Sequence, residues 1–244
     1  MRKDRGVIQT TPMIYVMSDI HGEYEKYLAM LRKIDFSEDD TLYILGDAID
    51  RGPESIKVLQ DMASRDNVYF LKGNHEAMAS FVLHRLNVEI TEANVESQID
   101  LELMRAIMEW QQNGGNGTME EFRKLSADER ADILDFIDDA PLYDTVDVGD
   151  KSFILVHSSL GNFSEEKRLS QYSYDELACM RPDYDRQYYQ DSSIYIVTGH
   201  TPTLAITGKP EIYHSFNNIL VDCGAAFGGR LACLCLDTMD EYYV

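Results

Sequence analysis

Positive charge is scarce in this 244-residue chain: 22 lysines and arginines stand against 43 aspartates and glutamates, for a net charge of -21. Such a surface repels phosphate backbones, so no nucleic-acid partner is expected. Long apolar runs are also missing. No stretch approaches the roughly 18 residues that read as a membrane-spanning helix. Met1 to Thr11 is polar, without an apolar core or a cleavage-like site, so neither a secretory leader nor a membrane partner is expected, and the expected location is cytoplasmic. Cysteine is limited to Cys179, Cys223, Cys233 and Cys235, which read as reduced thiols. Cys233 and Cys235 lie two apart and share a face of an expected strand. A zinc site there needs two more soft ligands, and no second C-x-C exists, so the pair reads as buried structural thiols.

What is present is an alternation of strands and helices. Strands are expected at Met13–Met17, Thr41–Leu45 and Val68–Leu71, with helices over about 23–34 and from Pro53 to about Arg65 between them. A polar cluster follows each strand: Ser18-Asp19-Ile20-His21-Gly22, Gly46-Asp47, and Gly73-Asn74-His75-Glu76. Open α/β sheets place their sites at such strand ends. From about 87 to 140 the pattern turns helical, with Val95, Ile99, Leu103 and Ile107 on one face. Thr118-x-x-Glu121 and Ser126-x-x-Glu129 both read as capping boxes. After Pro141, strands are expected at Ser152–Val156, Ile194–Val197, Asn218–Asp222 and Arg230–Leu236. Polar residues again follow: His157, Gly199-His200 and Asp222. The expected organisation is one domain over 1–244 with a helical insertion at about 87–140. His84 and His214 match no motif and read as structural or surface residues. The same holds for Tyr184, Tyr188 and Tyr189, at helical spacing, and Asp35 to Asp40 reads as a solvated loop.

Asp19, His21, Asp47, Asn74, His157 and His200 are the candidate ligands. Each follows an expected strand closely, and their mixed oxygen and nitrogen donors suit hard or borderline divalent cations. One carboxylate can bridge two metals about 3.5–4 Å apart. Any single element could be a turn or a core histidine. All of them, in one order at successive strand ends, point to a metal centre.

The segments SDIHG, GDAIDRG, KGNHE, LVHSS and TGHTPT resemble the motifs of the phosphoprotein phosphatase (PPP) family of calcineurin-like metallophosphoesterases. Trp110-x-x-Asn113-Gly114-Gly115-x-x-Thr118, Leu177-x-x-Met180-Arg181-Pro182 and Asp222-x-Gly224-x-x-Phe227-Gly228-Gly229 are similar to its bacterial and phage-type serine/threonine phosphatase branch. The resemblance implies an α/β, four-layer αββα fold, with two mixed β-sheets face to face and helices outside. It implies two divalent metal ions, manganese first, with iron, zinc or cobalt as alternatives. Asp19, His21 and Asp47 would hold one ion, and Asp47, Asn74, His157 and His200 the other, with Asp47 bridging. His75 would be the general acid, Asp50 its orienting carboxylate, and Arg51 and Arg181 the phosphate clamps.

The departures from the family pattern are few. Ser18 replaces a usual Gly, a change expected to affect only the turn. Lys72 stands where Arg is common before GNHE. Ser158-Ser159 follow His157, and Met180 takes a place where this branch often has Trp; both changes are expected at the substrate pocket. The activity implied is hydrolysis of phosphomonoesters, foremost phosphoserine or phosphothreonine in proteins, by a metal-bridging hydroxide. Small phosphoesters are further candidate substrates. The alternative is a symmetrical diadenosine tetraphosphate hydrolase, which similar SDIHG-, GHTPT- and GGRL-like segments suggest; Glu76 and the intact Asp50-Arg51-Gly52 weigh toward the phosphatase. A third reading is an inactive module that binds phosphorylated ligands.

Overall fold

The computed structural model describes residues 11–88 and 100–244. The part of the expected helical face at Val95 and Ile99 lies outside the described residues.

Period-two alternation decides which face each strand offers to which layer. Strand β1 (Ile14–Met17) turns Tyr15 and Met17 to one core and Val16 to another. In β2 (Thr41–Ile44), Leu42 and Ile44 join the first core, and Leu45, just beyond it, joins the second. These two strands and β3 (Val68–Phe70) are parallel neighbours. The antiparallel strands β9 (Ala232–Cys235) and β10 (Glu241–Tyr243) complete a sheet of order β10-β9-β1-β2-β3. A second five-stranded sheet runs β4-β5-β6-β8-β7. Its members are β4 (Tyr143–Val148), β5 (Lys151–Val156), β6 (Ile194–Thr198), β7 (Tyr213–Ser215) and β8 (Asn218–Leu220). Both sheets are mixed: β5, β6 and β8 are parallel, and their edge partners are antiparallel.

Val16, Leu45, Phe153, Leu155, Val197 and Leu234 pack between the sheets. Outside the first sheet lie α1 (Tyr24–Lys33), α2 (Ser55–Ala63), α3 (Asn74–Leu86), α4 (Leu101–Gln112), α5 (Asn116–Phe122) and α6 (Ala127–Asp139). They contribute Tyr27, Leu59, Val82, Trp110, Phe122 and Ile137 to the outer core. Each such side chain, fully buried, stabilises the fold by about 1.5–3 kcal/mol relative to exposure. The outer face of the second sheet, Ile154, Val156 and Ile196, is covered differently. Leu160, Tyr172 and Leu177 pack there from loops and from a short π-helical turn, Asp175–Cys179. The four-layer expectation therefore holds, with turns as its fourth layer.

The seven expected strands and the Ser126–Glu129 capping box form as read. Three strands were not expected. β4, β7 and β10 are sheet edges with little buried surface, so their sequences carry no apolar alternation, and pairing partners create them. Pro53 is not at N1 of α2; the helix starts at Ser55, after Glu54. Thr118 does not cap a helix but lies inside α5. Glu121 instead accepts from the N–H groups of Ser55 and Ile56, both at 3.1 Å, which have no partner within the helix at the start of α2. One helix of the insertion thus caps another helix that lies far away in sequence. No helix forms at Tyr184–Tyr189; Tyr188 and Tyr189 both pack edge-on against Phe163, and Tyr184 against Tyr213. The loop at Asp35–Asp40 is not wholly solvated: Asp40 is buried and accepts from the backbone N–H of Met13 and of Ser37. Among the described residues no helix is long and apolar enough to cross a membrane.

Glu121→Ala should destabilise the protein by about 1–3 kcal/mol, because two helix-start donors lose their acceptor. Glu121→Gln, which keeps one acceptor oxygen, should lose less. Urea denaturation of both variants measures this; equal stability of Glu121→Ala and the unchanged protein would remove the capping role.

Candidate metal centre

The parallel strands deliver their C-terminal ends to one edge, and the loops that follow are stitched together by backbone bonds. Asp19 N–H donates to Gly46 O, His21 N–H to Asp47 O, and Gly22 N–H to Ala48 O, at 2.8–3.1 Å. Gly199 N–H donates to His157 O across the second sheet, and His200 N–H donates to Asp19 Oδ2 at 2.8 Å, which ties the two sheets together. The geometry is strained. Asp19, His21, Asp47, Asp50, Arg51 and His200 all have φ between 49° and 72°. Left-handed backbone at residues other than glycine costs on the order of 1–3 kcal/mol each and concentrates at functional sites.

Glu76 holds the second loop. It is fully buried, and its carboxylate accepts from the N–H groups of Asp47 (2.8 Å), Ala48 (2.9 Å) and Gly73 (3.0 Å). Burial, then Asp47, pushes its pKa up, while the N–H donors favour the anion.

All six candidate ligands converge. His157 Nε2 lies 3.1 Å from Asn74 Oδ1, 3.2 Å from His200 Nδ1 and 3.4 Å from Asp47 Oδ1. On the other side of Asp47, its Oδ2 is 3.8 Å from His21 Nε2, which is itself 3.8 Å from Asp19 Oδ1. Two donor sets therefore share one carboxylate. The imidazoles are oriented for ligation. His157 donates from Nδ1 to Leu45 O at 2.6 Å, and His21 donates from Nδ1 to Ile49 O at 2.8 Å. Each keeps Nε2 for the centre, the arrangement expected of metal-binding histidines. Burial lowers the pKa of His21 to about 3, against the pull of Asp47, and that of His200 to about 4, helped by His157. Both shifts favour the neutral imidazole, the form that can ligate a metal. Asp47 is held well below the usual carboxylate range: burial opposes its charge, but His157, His75 and His21 outweigh it. The chemistry of this donor set fits two divalent cations.

His75 lies beside the first set, with Nε2 3.9 Å from Asp47 Oδ2. Its Nδ1–H donates to Asp50 Oδ2 at 2.6 Å. Burial alone would lower its pKa, but the Asp47 and Asp50 carboxylates prevail and raise it. Arg51 donates to His75 Nε2 at 2.9 Å and also contacts His21 Nε2. That Nε2 cannot serve a cation and this guanidinium at once, so metal binding and the Arg51 position exclude each other. The Arg51 guanidinium lies 4.7 Å above the Phe227 ring.

The sequence reading missed what supports Asp50. Trp110 Nε1–H donates to Asp50 Oδ2 at 2.7 Å, and Thr118 Oγ1–H donates to Oδ1 at 2.6 Å. Arg51 N–H donates to Gly114 O. A side chain at Gly115 would collide with the Trp110 ring. The W-x-x-N-G-G-x-x-T segment was visible in the sequence, but its contact with Asp50 depends on the fold. Ser18 also does more than shape a turn: its hydroxyl donates to Asp19 Oδ2 at 2.5 Å. Ser158, Ser159 and Met180 line neither of the two clefts described below. Ser158 Oγ donates to Met180 O, and Ser159 Oγ to Glu176 O, which pins the segment leading to Arg181. Lys72 Nζ donates to Asp138 O at 3.0 Å. Asp138 also pairs with His84, and Glu241 pairs with His214, so both of those histidines are peripheral. Cys223, Cys233 and Cys235 are buried free thiols, and Cys179 is exposed.

Two clefts open from the centre. One, about 570 Å³, runs from Asp47, Asn74 and His75 to Arg51, Arg181, Pro202, Leu204, Ala205 and Phe227. The other, about 520 Å³, shares Asn74, Asn113 and His200 with it and extends past Met78, Phe81, Glu109, Tyr174, Asp175 and Cys179.

Two facing mixed sheets with a paired-ligand site at their strand ends define a metallophosphoesterase. The calcineurin-like phosphoesterase family model matches residues 12–229, and the chain belongs to that family. It is similar, at 28% identity over 89% of this chain and 88% of the relative, to the bis(5'-nucleosyl)-tetraphosphatase PrpE (asymmetrical) of Geobacillus sp. strain WCH70. A shorter match, 48% identical over 65 residues, covers 26% of this chain and 23% of the symmetrical bis(5'-nucleosyl)-tetraphosphatase of Delftia acidovorans. A solved structure of "a putative diadenosine tetraphosphatase" shares the fold, with a TM-score of 0.67 at 17% identity over 98% of this chain and 95% of that one.

Asp47→Ala should lower metal content from two ions per chain to one or none, and Asn74→Ala should weaken mainly the site shared with His157; elemental analysis of the variants decides. Full two-ion occupancy in Asp47→Ala would contradict a shared carboxylate. For His75 the sign follows from charge. Asp50→Asn removes an anion that favours the imidazolium, so the His75 titration in metal-stripped protein should move to lower pH. Trp110→Phe strips a competing donor from Asp50, leaves more of its charge for the His75 N–H and should move the same titration upward. Nitrogen-15 NMR of the imidazole reads both shifts.

Proposed function

We propose that the protein hydrolyses dinucleoside polyphosphates at a two-metal centre. The observation that carries this reading is the 570 Å³ cleft, lined by Arg51, Arg181 and the half-exposed Phe227 ring beside the candidate metal donors; cations at His21 would displace the Arg51 guanidinium from that histidine while leaving it on the cleft wall. Two guanidinium forks suit phosphates next to the one at the metals, and an exposed aromatic face with Leu204 and Pro202 suits a nucleobase. The nearly full-length similarity to relatives named bis(5'-nucleosyl)-tetraphosphatase supports it.

Asp19, His21 and Asp47 would hold one ion and Asp47, Asn74, His157 and His200 the other, with manganese the first choice for both. Cations bound there would lower the pKa of water and draw charge from the phosphoryl oxygens. Arg51 and Arg181 neutralise the charge that develops on the phosphates. His75, its Nδ1–H fixed by Asp50, delivers a proton from Nε2 to the leaving oxygen.

The second reading is a serine/threonine phosphatase, favoured by the intact Asp50-Arg51-Gly52 motif. Glu76 no longer adds to it: that carboxylate is spent on backbone N–H groups and has no exposed surface, so it reports on loop architecture and not on substrate.

With Mn²⁺ supplied, diadenosine tetraphosphate should be turned over with a kcat/KM at least about tenfold above that of phosphoserine or phosphothreonine peptides, a difference of about 1.4 kcal/mol in transition-state binding. Phe227→Ala should erode that preference through KM. A tenfold advantage for the peptides would replace this reading with the phosphatase.

A further inference from the structure

The cleft on the far side of the centre has a different chemistry from its neighbour. The arginine-lined cleft carries Arg51 and Arg181. Among the described residues no lysine or arginine lines the 520 Å³ cleft, although the Arg85 guanidinium lies 6.0 Å over the Phe81 ring; Glu109 and Asp175 line it, together with Met78, Phe81, Tyr174 and Cys179. Phe81 is 39% exposed, and Tyr174 is half-buried. The cleft nevertheless opens on Asn74 and His200, two of the candidate ligands. Two carboxylates repel a phosphate chain, so the occupant should be the uncharged part of a molecule whose phosphate reaches the metals. Aromatic and thioether side chains offer a base its flat contacts. A carboxylate accepts hydroxyl hydrogens, as acidic residues do for the 2'-hydroxyl of ribose in dinucleotide sites.

We propose that this cleft is a nucleoside subsite, in which the base packs against Phe81 and Tyr174 and the ribose hydroxyls donate to Glu109. The assignment rests on the dinucleotide reading and completes it. The nucleoside nearest the reacting phosphate enters the acidic cleft, while the remaining phosphates and the second nucleoside follow Arg51, Arg181 and Phe227. Charge alone sets this polarity, since the two clefts share a volume scale but carry opposite signs.

The test uses the metal-loaded full chain with p-nitrophenyl phosphate as reporter and adenosine monophosphate, 2'-deoxyadenosine monophosphate and inorganic phosphate as inhibitors. Adenosine monophosphate should inhibit at a Ki about tenfold or more below that of phosphate. Phe81→Ala should remove most of that advantage, and Glu109→Ala should remove the preference of the ribo- over the deoxynucleotide. Phe216→Ala, an exposed aromatic that lines neither cleft, should change nothing. Equal inhibition by the nucleotide and phosphate overturns the subsite, as does an advantage that survives Phe81→Ala but is lost in Phe227→Ala. Diadenosine tetraphosphate turnover is measured in parallel. If the dinucleotide is hydrolysed but the inhibition pattern fails, only the subsite falls. If the dinucleotide is not hydrolysed, the functional reading falls, and a Phe81-dependent nucleotide preference still reports the subsite.

Discussion

Everything at the centre depends on Asp47, a buried carboxylate shared by two donor sets. Its Oδ1 faces His157 and its Oδ2 faces His21 and His75, and its Oδ1 also accepts the His75 N–H at 3.1 Å. An isolated charge so deep would be heavily penalised. The surrounding imidazoles hold it ionised, and divalent cations are the natural counter-charge for a site that also buries Asp19, Asp50, Glu76 and Asp222. The strain follows from the same demand. Six residues adopt left-handed backbone so that side chains from separate loops meet at one point. The interlocked N–H donors to Glu76, Gly46, Asp47 and Ala48 are what keep those conformations populated.

The helical insertion is part of this machinery. Trp110 and Thr118 saturate the carboxylate of Asp50, which in turn fixes the tautomer and direction of His75. Gly114 and Gly115 are present for close approach, one beneath Arg51 and one beneath the Trp110 ring. Glu121 then anchors the same insertion to the start of α2. Packing of the outer core and the position of the His75 imidazole are therefore coupled through a few hydrogen bonds.

Recognition of substrate lies elsewhere. The motif residues mostly face the metals or brace the loops that carry them, so they define a reaction and leave open the molecule that undergoes it. Much of the cleft wall comes from segments between motifs: Leu204 and Ala205 on one side, Phe81, Glu109 and Tyr174 on the other. A phosphate at the centre is common to phosphoproteins and dinucleotides. The two clefts differ in charge, arginines in one and carboxylates in the other, and in the proposed reading that difference would distinguish an ester side chain from a molecule with two nucleoside ends.

The sequence by itself determined the class of chemistry. The candidate donors Asp19, His21, Asp47, Asn74, His157 and His200, which the structure brings together, were legible as polar residues that follow successive strands in one order, and the buried strands were legible because period-two alternation is local. Edge strands β4, β7 and β10 were not, since a partner strand induces them without an apolar pattern. The roles of Trp110, Thr118, Ser18 and Glu121 were decided only by the tertiary structure. Trp110, Thr118 and Glu121 act through hydrogen bonds to residues on another loop or helix, and Ser18 through a rotamer beside its neighbour, and neither leaves a period in the sequence. The two clefts belong to the same category: their shape and sign arise where distant segments meet, and no local run of residues encodes them.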